Sequence, residues 1–323
     1  MNIVECNFID LEIQILTNDR TQLASRLPSL GGLFADLCKG AVCLFPGRDC
    51  QSCSQSVSCD WHRIFGQALA VDPEALKRHQ KPPLPFVFSF PILERLPASP
   101  GVVSCGLVVI GCAISSLDML LDGFNRFLMY NACKGHSKIT QLFSRDFQGT
   151  LVPLEFGNHS AVAENLIVMS LGGILESRDW CSSNMQIKLL SPLKLRADGH
   201  QVKQYEFGLF VRALFRRVSS LIYYYDNSES TLDFKRLSFQ ADAVILTKDA
   251  FCYETCPAGI KKLSGITGQG CFRGDFNELL PFLVAGSYFH VGKSAAFGLG
   301  KYSLSVVSDW FSGSRIQKNN ACE

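Results

Sequence analysis

A chain of 323 residues is long enough to bury a large core, and the usual size of domains predicts two of them. Apolar residues make up 47% of the chain and charged residues 19%, a composition that excludes an intrinsically disordered protein. The formal net charge of +2 excludes a globally basic binder of nucleic acid, so any such surface has to be a local patch.

The amino terminus carries Glu5, Asp10 and Glu12 within its apolar stretch, which is not the pattern of a signal peptide. The longest uncharged run, from Leu96 to Leu117, contains two prolines and several Ser and Gly residues. Such a run indicates a strand leading into a helix, and we expect no membrane span. We therefore expect a cytoplasmic protein whose 14 cysteines are reduced thiols or metal ligands.

The first half of the chain predicts the order strand, helix, strands, helix, strand. The apolar patterns favour a strand over 3–16, a helix over 30–42, an extended run over 79–93, a buried strand over 101–114, an amphipathic helix over 115–130 and a strand following a basic turn within 131–147. Ser115 or Ser116 is the expected N-cap of the amphipathic helix.

The second half repeats this order. It predicts a strand over 185–199, a long helix over 205–226, strands over 236–247 and 261–276, a helix over 277–290 with Asp275 or Asn277 as N-cap, and a last strand over 301–307. The order β-α-β-β-α-β is that of the ferredoxin-like arrangement. We therefore predict an α+β protein of two tandem ferredoxin-like (RRM-like) domains, covering residues 1–183 and 184–323.

The stretch "FHVGKSAAFGLGKYSL" at 289–304 is rich in glycine and connects the last predicted helix to the last predicted strand. Glycine-rich turns expose backbone N–H groups that can face an anion. A Walker loop is excluded, because the position that needs an earlier glycine is Ser287. A dinucleotide-binding fingerprint is excluded too, since no first strand of a βαβ unit precedes it.

A cysteine segment, defined here as residues 43–59, separates the first helix from the next predicted strand. Its thiols are Cys43, Cys50, Cys53 and Cys59, spaced C-x6-C-x2-C-x5-C. Four thiolates this close in sequence can form a tetrahedral zinc site, so we predict a structural zinc ion. An iron–sulfur cluster uses the same ligand type and stays open.

Several longer stretches carry a resemblance to a known family. They are "LLSPLKLRADGH", "LFVRALFRRVSSLIYYY" and the run from "LSGITGQGCFRGDF" to "GKSAAFGLGKYSL", with weaker agreement through "LPSLGGLFADLCKGAVC" and "PPLPFVFSFPIL". Together they resemble the RAMP superfamily of CRISPR-associated proteins and, within it, the sixth Cas family. Members of that family are endoribonucleases that cut precursor CRISPR RNA within its repeats.

The resemblance implies cleavage without a cofactor, in which a ribose 2′-OH attacks the adjacent phosphorus and leaves a 2′,3′-cyclic phosphate. Such chemistry needs an acid or base and nearby cations. The candidates are His62, His136, His290 and Lys39. Each histidine also has a structural alternative: His62 as a packed side chain or metal ligand, His136 as an exposed turn residue, and His290 as a partner of the loop backbone.

The family's catalytic histidine often lies on or just after the first helix, yet the chain has no histidine before His62. The alternative is therefore a non-catalytic RAMP subunit that binds guide RNA in an effector complex. Expected partners are CRISPR repeat RNA, mature CRISPR RNA and effector subunits, and no membrane. The expected RNA-binding residues are Lys134, Lys138, Arg212, Arg216, Arg217, Lys261, Lys262, Arg273, Gly292, Lys293, Gly298, Gly300 and Lys301.

Overall fold

The structure is a computed structural model that describes residues 5–50, 52–79, 81–91, 99–129, 137–155, 165–180, 183–226, 232–258 and 261–307. For residues 74, 77, 78, 256–258, 261 and 262 it describes the backbone alone. Over these residues, no helix is both long and apolar enough to cross a bilayer.

The first half of the chain forms an antiparallel sheet covered by helices on one face. Its elements are β1 (Asn7–Thr17), α1 (Arg20–Arg26), a 3₁₀ helix (Leu27–Gly32), α2 (Phe34–Val42), α3 (Asp60–Phe65), α4 (Pro73–Arg78), β2 (Phe86–Ser89), β3 (Gly101–Ile110), a second 3₁₀ helix (Gly111–Ser116), α5 (Leu117–Phe127), β4 (Ser137–Arg145), β5 (Leu151–Leu154), β6 (Met169–Ser170) and α6 (Leu171–Glu176). The strand order β2-β3-β1-β4 is that of a ferredoxin-like domain, extended by β5.

The second half repeats the fold with a smaller sheet. Its elements are β7 (Asn184–Leu189), β8 (Arg196–Ala197), β9 (His200–Gln201), α7 (Phe207–Tyr225), α8 (Phe234–Asp242), β10 (Ile245–Ala258), β11 (Lys261–Arg273), α9 (Leu280–Phe289) and β12 (Tyr302–Val306). The sheet order β10-β11-β7-β12 again places the first and third ferredoxin strands at the centre. The predicted tandem ferredoxin-like α+β fold is confirmed.

Buried apolar residues and partly buried acidic residues alternate along β1, so the two faces of the first sheet lie in different environments. Ile9, Leu11 and Ile13 are fully buried under the helices, whereas the intervening Asp10 and Glu12 are only partly buried on the opposite face. A strand presents successive side chains to opposite faces, so this pattern fixes the register of the sheet. The two acidic residues are thereby directed towards the second domain's side of the molecule, where they line a cavity.

The prediction of a strand over 236–247 is wrong for its first part. Residues 234–242 form α8, whose N-cap Asp233 accepts hydrogen bonds from the backbone N–H groups of Lys235 and Arg236, both at 3.0 Å. Leu237 and Ala241, one helical turn apart, are the residues that α8 buries. The strand β10 begins only at Ile245.

Of the predicted helix caps, Ser116 is found at its position, whereas neither Asp275 nor Asn277 caps the last helix. The last helix, α9, starts after Leu279 and has proline in its first turn, so neither Asp275 nor Asn277 caps it. Ser116 does stand at the N-cap of α5, but its hydroxyl donates to Asp60 Oδ1 at 3.0 Å and not to the helix. These ends are therefore set by packing and not by capping side chains.

The two domains share their cores. Phe8 at the start of β1 packs against Tyr288 and Phe289 at the end of α9, with ring centroids 5.0 Å and 5.2 Å away. His79, in the first domain, stacks on Tyr223 of α7 at 4.6 Å and pairs with the Ser220 hydroxyl at 3.1 Å. These contacts form an apolar interface that fixes the second domain against the sheet of the first.

Candidate functional site

The glycine-rich loop, residues 290–301, connects α9 to β12 and is hydrogen-bonded to both domains. Within the second domain, Lys293 N donates to Lys194 O at 2.9 Å and Gly300 N donates to Pro192 O at 3.1 Å. Towards the first domain, Phe88 N on the edge strand β2 donates to Ala296 O at 2.9 Å. The loop therefore bridges the domains and continues the hydrogen bonding of the first sheet's edge.

Two glycines in this loop are required by its geometry. Gly300 has φ of +68°, and a Cβ there would overlap the Val291 carbonyl. Gly292 has φ of +87°, and a Cβ there would overlap the Lys194 carbonyl. Glycine alone combines left-handed backbone with such close approach, so these residues serve backbone geometry, and their contact with RNA stays a prediction.

Phe297 anchors the loop in the first domain. Its ring lies 5.7 Å from the ring of Phe86 and 6.2 Å from that of Phe34, at the start of α2. A Cβ on Gly31 would come within 2.9 Å of the Phe297 ring, so a glycine lets the loop approach the entrance of α2. The loop and the first helices of the first domain therefore lie side by side.

The tip of the loop is exposed and positively charged. Lys293 and Ser294 are exposed, and Ser294 is held at φ of +62°. The neighbouring segment contributes Lys194, whose carbonyl accepts from Lys293, and the exposed Arg196. Sequence reasoning missed Lys194 and Arg196. The basic stretch "KLR" inside the resembling motif "LLSPLKLRADGH" was the signal that could have found them.

His290 lies at the base of the loop and is buried, with 1% of its surface exposed. Burial, and then the nearby Lys301 and Arg217 charges, lower its pKa well below the ordinary value. Its Nε2 is 3.4 Å from the Ser89 hydroxyl, and Nδ1 has no hydrogen-bond partner among the described residues. This buried, neutral ring fits the structural alternative better than the catalytic one.

A polar cavity of about 480 Å³ separates the two domains beside His290. Arg145 binds Glu12 at 2.7 Å and Asp10 at 3.5 Å across the adjacent strands. Burial raises the pKa of Asp10 to about 6, although Arg145 and Lys301 act in the opposite direction. Burial lowers the pKa of Lys301, which faces the same cavity. Lys301 is therefore directed between the domains and not towards the exposed loop tip.

Lys39 of α2 and His62 of α3 meet at a second, smaller cavity. The Trp61 indole N–H donates to Ala35 O at 2.7 Å and joins the two helices. Lys39 Nζ lies 5.1 Å from the centre of the Trp61 ring. A hydrogen bond with Cys50 is the main factor that raises the pKa of Lys39, so this side chain is a cation at neutral pH.

All four thiols of the cysteine segment line this same cavity. They are free of disulfides and half-buried. As the side chains stand, however, no group of three or more His, Cys, Asp or Glu residues in the described part of the chain is placed to hold a metal ion. The structure thus gathers the predicted ligands without closing a coordination site.

The arginines of α7 do not form one exposed row. Arg212 Nη1 donates to both carboxylate oxygens of Asp242, at 2.7 Å and 3.0 Å, whereas Arg216 is exposed. Arg217 turns inward, and its Nε donates to Phe289 O at the end of α9, at 2.9 Å. Burial lowers its pKa to about 10. Arg217 therefore closes the carboxyl end of α9, and its contact with RNA stays a prediction.

The other predicted RNA-binding residues are scattered. Lys138 of β4 and Arg273 of β11 are exposed. Lys261 and Lys262 begin β11, where the backbone alone is described, and Lys134 and His136 lie outside the described residues. Among the predicted site residues, the structure brings together two groups: Lys39 and His62 with the cysteines, and the loop residues with Lys301 and His290.

The described residues thus form two ferredoxin-like domains bridged by a glycine-rich loop with a basic tip. A family model described as "CRISPR-associated endoribonuclease Cas6" matches residues 187–302, a range that contains the loop. A second model, described as an N-terminal domain, matches residues 9–147. The part of the chain over residues 187–302 is therefore similar to the CRISPR-associated endoribonucleases of the Cas6 family.

Similar solved structures include Thermus thermophilus Cas6, with 13% identity, a TM-score of 0.53 and coverage of 93% of this chain and 99% of that one. A Cas6 substrate mimic complex matches with 13% identity, a TM-score of 0.51, and 93% and 99% coverage. A partial Cas6-RT-Cas1–Cas2 complex matches with 13% identity, a TM-score of 0.56, and 97% and 49% coverage. At this identity the likeness concerns the fold. No curated protein sequence matches the chain.

Proposed function

We propose that this protein cuts CRISPR precursor RNA within its repeats, in the cytoplasm, by attack of a ribose 2′-OH on the adjacent phosphorus. The observation that carries the proposal is that Lys39 and His62, both half-buried, lie on two different helices that the Trp61 hydrogen bond joins. His62 lies beyond the cysteine segment, later in the chain than the catalytic histidine that the resemblance implies, and it is the nearest histidine to that position. The glycine-rich loop packs against the start of α2 through Phe297, and so lies on the same side of the first domain.

In this mechanism, His62 removes the proton from the 2′-OH as the oxygen attacks phosphorus. The bond from phosphorus to the 5′-oxygen breaks and that oxygen takes a proton from solvent, which leaves a 2′,3′-cyclic phosphate on one product and a free 5′-OH on the other; His62 then releases its proton to solvent. Lys39 stabilises the negative charge that develops on the phosphorane oxygens. A positioned histidine suits this role because its proton exchanges near neutral pH.

The exposed tip of the glycine-rich loop supplies the RNA-binding surface. Lys293 and Arg196 are exposed, and the hydrogen bond from Lys293 N to Lys194 O holds their two segments side by side, which places positive charge where phosphate oxygens can bind. Arg216 and Lys138 are exposed elsewhere and extend the possible path of the RNA. A near-neutral chain needs such a local patch to bind RNA.

The partners proposed for this chain are CRISPR repeat RNA, its processed product and other Cas subunits. Solved structures similar in fold are described as Cas6 product and substrate mimic complexes and as a Cas6-RT-Cas1–Cas2 complex, which supports these partner classes. The loop is hydrogen-bonded to both domains, so RNA bound at the loop would lie near both. The processed RNA carries the same phosphate groups as the substrate, and we therefore include it among the partners.

The test is single-turnover cleavage of a labelled repeat RNA by variants at the two proposed catalytic positions. We expect His62→Ala and Lys39→Ala each to slow cleavage by about 10²–10⁴-fold while RNA binding changes little. Lys39→Arg keeps the charge and should retain more activity than Lys39→Ala. His200→Ala and Lys248→Ala, at exposed positions outside the cavity, are matched controls that should cut at the wild-type rate.

Two results would contradict the proposal in different ways. Tight, salt-sensitive RNA binding with no cleavage would make the chain a non-catalytic subunit that binds guide RNA. Cleavage by His62→Ala at the wild-type rate would keep the activity and remove His62 from the mechanism. Circular dichroism of each variant separates loss of catalysis from loss of folding.

A further inference from the structure

The cysteine segment has little in its own packing to hold it in place. Its described residues between 44 and 58, all but 51, contain no helix or strand and contribute nothing to the buried core. Leu44 and Val57 are 81% and 93% exposed, so even the apolar side chains are outside. The described backbone hydrogen bonds within the segment are short-range turns, such as Ser56 N to Cys53 O at 3.0 Å. A segment of this kind needs another source of stability.

The two ends of the segment are nevertheless fixed. Cys43 ends α2, and its N–H donates to Lys39 O at 2.9 Å. Cys59 precedes α3, and its carbonyl accepts from Arg63 N at 3.0 Å. Because α2 and α3 are joined through Trp61, the first and last thiols are held beside the same cavity. Cys50 and Cys53 complete its wall from the middle of the segment.

The cavity between the thiols has the size and charge of a single-ion site. Its volume of about 20 Å³ is roughly that needed by one water molecule. Four thiolates around a divalent ion carry a net charge of −2. The cations Lys39 and Arg48 line the same cavity and offset that charge.

We propose that the cysteine segment binds one structural zinc ion through its four thiolates. The thiols lose their protons on binding. The outer two are fixed by helix ends, so the two in the middle of the segment are the ones that have to shift to reach the ion. Movement of this unsupported stretch closes the coordination sphere that the present side-chain positions leave open. The bound ion would then fix the segment against α2 and α3, the helices that carry Lys39 and His62.

The experiment measures metal bound to the full-length protein, purified without chelator from cells supplied with zinc. Mass spectrometry of the elements should find about one zinc per chain. Cys50→Ser and Cys53→Ser should lower this content by about tenfold or more. Cys112→Ser and Cys252→Ser, which change exposed thiols outside the segment, should leave it unchanged. His62→Ala should also leave it unchanged, because the imidazole is not a ligand.

A second measurement uses only wild-type protein, so it tests the proposal even if the serine variants fold poorly. Wild-type protein stripped of metal and titrated with Co²⁺ should show thiolate-to-cobalt charge transfer and the absorption of a tetrahedral ion. Wild-type protein with neither zinc nor this spectrum would overturn the proposal. Iron with acid-labile sulfide would overturn it in favour of a cluster, and loss of zinc from His62→Ala would overturn the all-thiolate site. None of these readouts involves RNA, so they stand apart from the test of cleavage.

Discussion

Replacement of Gly300 by alanine tests whether the glycine-rich loop is fixed by its backbone. The residue stands at φ of +68°, where an alanine costs about 1 kcal/mol. Its Cβ would also overlap the Val291 carbonyl, so the backbone has to move. That movement displaces two hydrogen bonds, Val291 N to Gly300 O at 3.2 Å and Gly300 N to Pro192 O at 3.1 Å. At about 1 kcal/mol for each bond, the expected loss of folding free energy is about 3 kcal/mol.

The matched control is Gly199→Ala. Gly199 has φ of +79°, but an added Cβ would find no atom within 4 Å, so the strain of about 1 kcal/mol is expected alone. The assay is urea denaturation followed by circular dichroism, with repeat-RNA affinity measured alongside. Gly300→Ala should lose about 2 kcal/mol more than the control and should also bind RNA more weakly. Equal destabilisation by the two variants would refute the account of the loop.

Three further predictions concern charge and capping. Asp10 should make the protein less stable as pH rises from about 4 to 6, because its pKa is raised from 3.8 to about 6 and the folded state holds the proton more tightly. The full difference corresponds to at most about 3 kcal/mol, and Asp10→Asn should remove this pH dependence from denaturation curves. Asp233→Ala should cost about 1 kcal/mol in the same assay, since two backbone N–H groups of α8 lose their acceptor; an unchanged midpoint would show that the cap contributes nothing. Lys293→Ala should weaken RNA binding and reduce the slope of log affinity against log salt by about 1; an unchanged slope would exclude a phosphate contact.

The order of strands and helices could be predicted because the local patterns are strong. The alternation of β1 and the amphipathic face of α7 survive in the fold, as do both β-α-β-β-α-β units. The misassigned helix α8 shows the limit of such patterns. Its buried face consists of Leu237 and Ala241 alone, and two apolar residues are too few to show a helical period. The N-cap Asp233 was the sequence signal that could have indicated the helix.

The sites depended on contacts that the sequence does not encode locally. His62 and Lys39 lie 23 positions apart and meet because Trp61 joins their helices. The sequence predicts Arg216 and Arg217 as neighbouring surface arginines. Adjacent residues of a helix point in different directions, and Arg217 of α7 is directed towards the end of α9. The cavity between the domains is lined by Asp10 from the first sheet and Lys301 from the second domain. Only the packing of two domains brings such residues together.

The central claim is that the RNA supplies its own nucleophile, and one substituted RNA tests it directly. The measurement is cleavage of a repeat RNA with a single 2′-deoxy sugar at the mapped cut site, beside the unmodified RNA, in buffer without added divalent cations. The account predicts that the unmodified RNA is cut to a product ending in a 2′,3′-cyclic phosphate, and that the 2′-deoxy RNA binds equally well and stays intact. Cleavage of the 2′-deoxy RNA at the same position would contradict it, because water and not the ribose would then be the nucleophile.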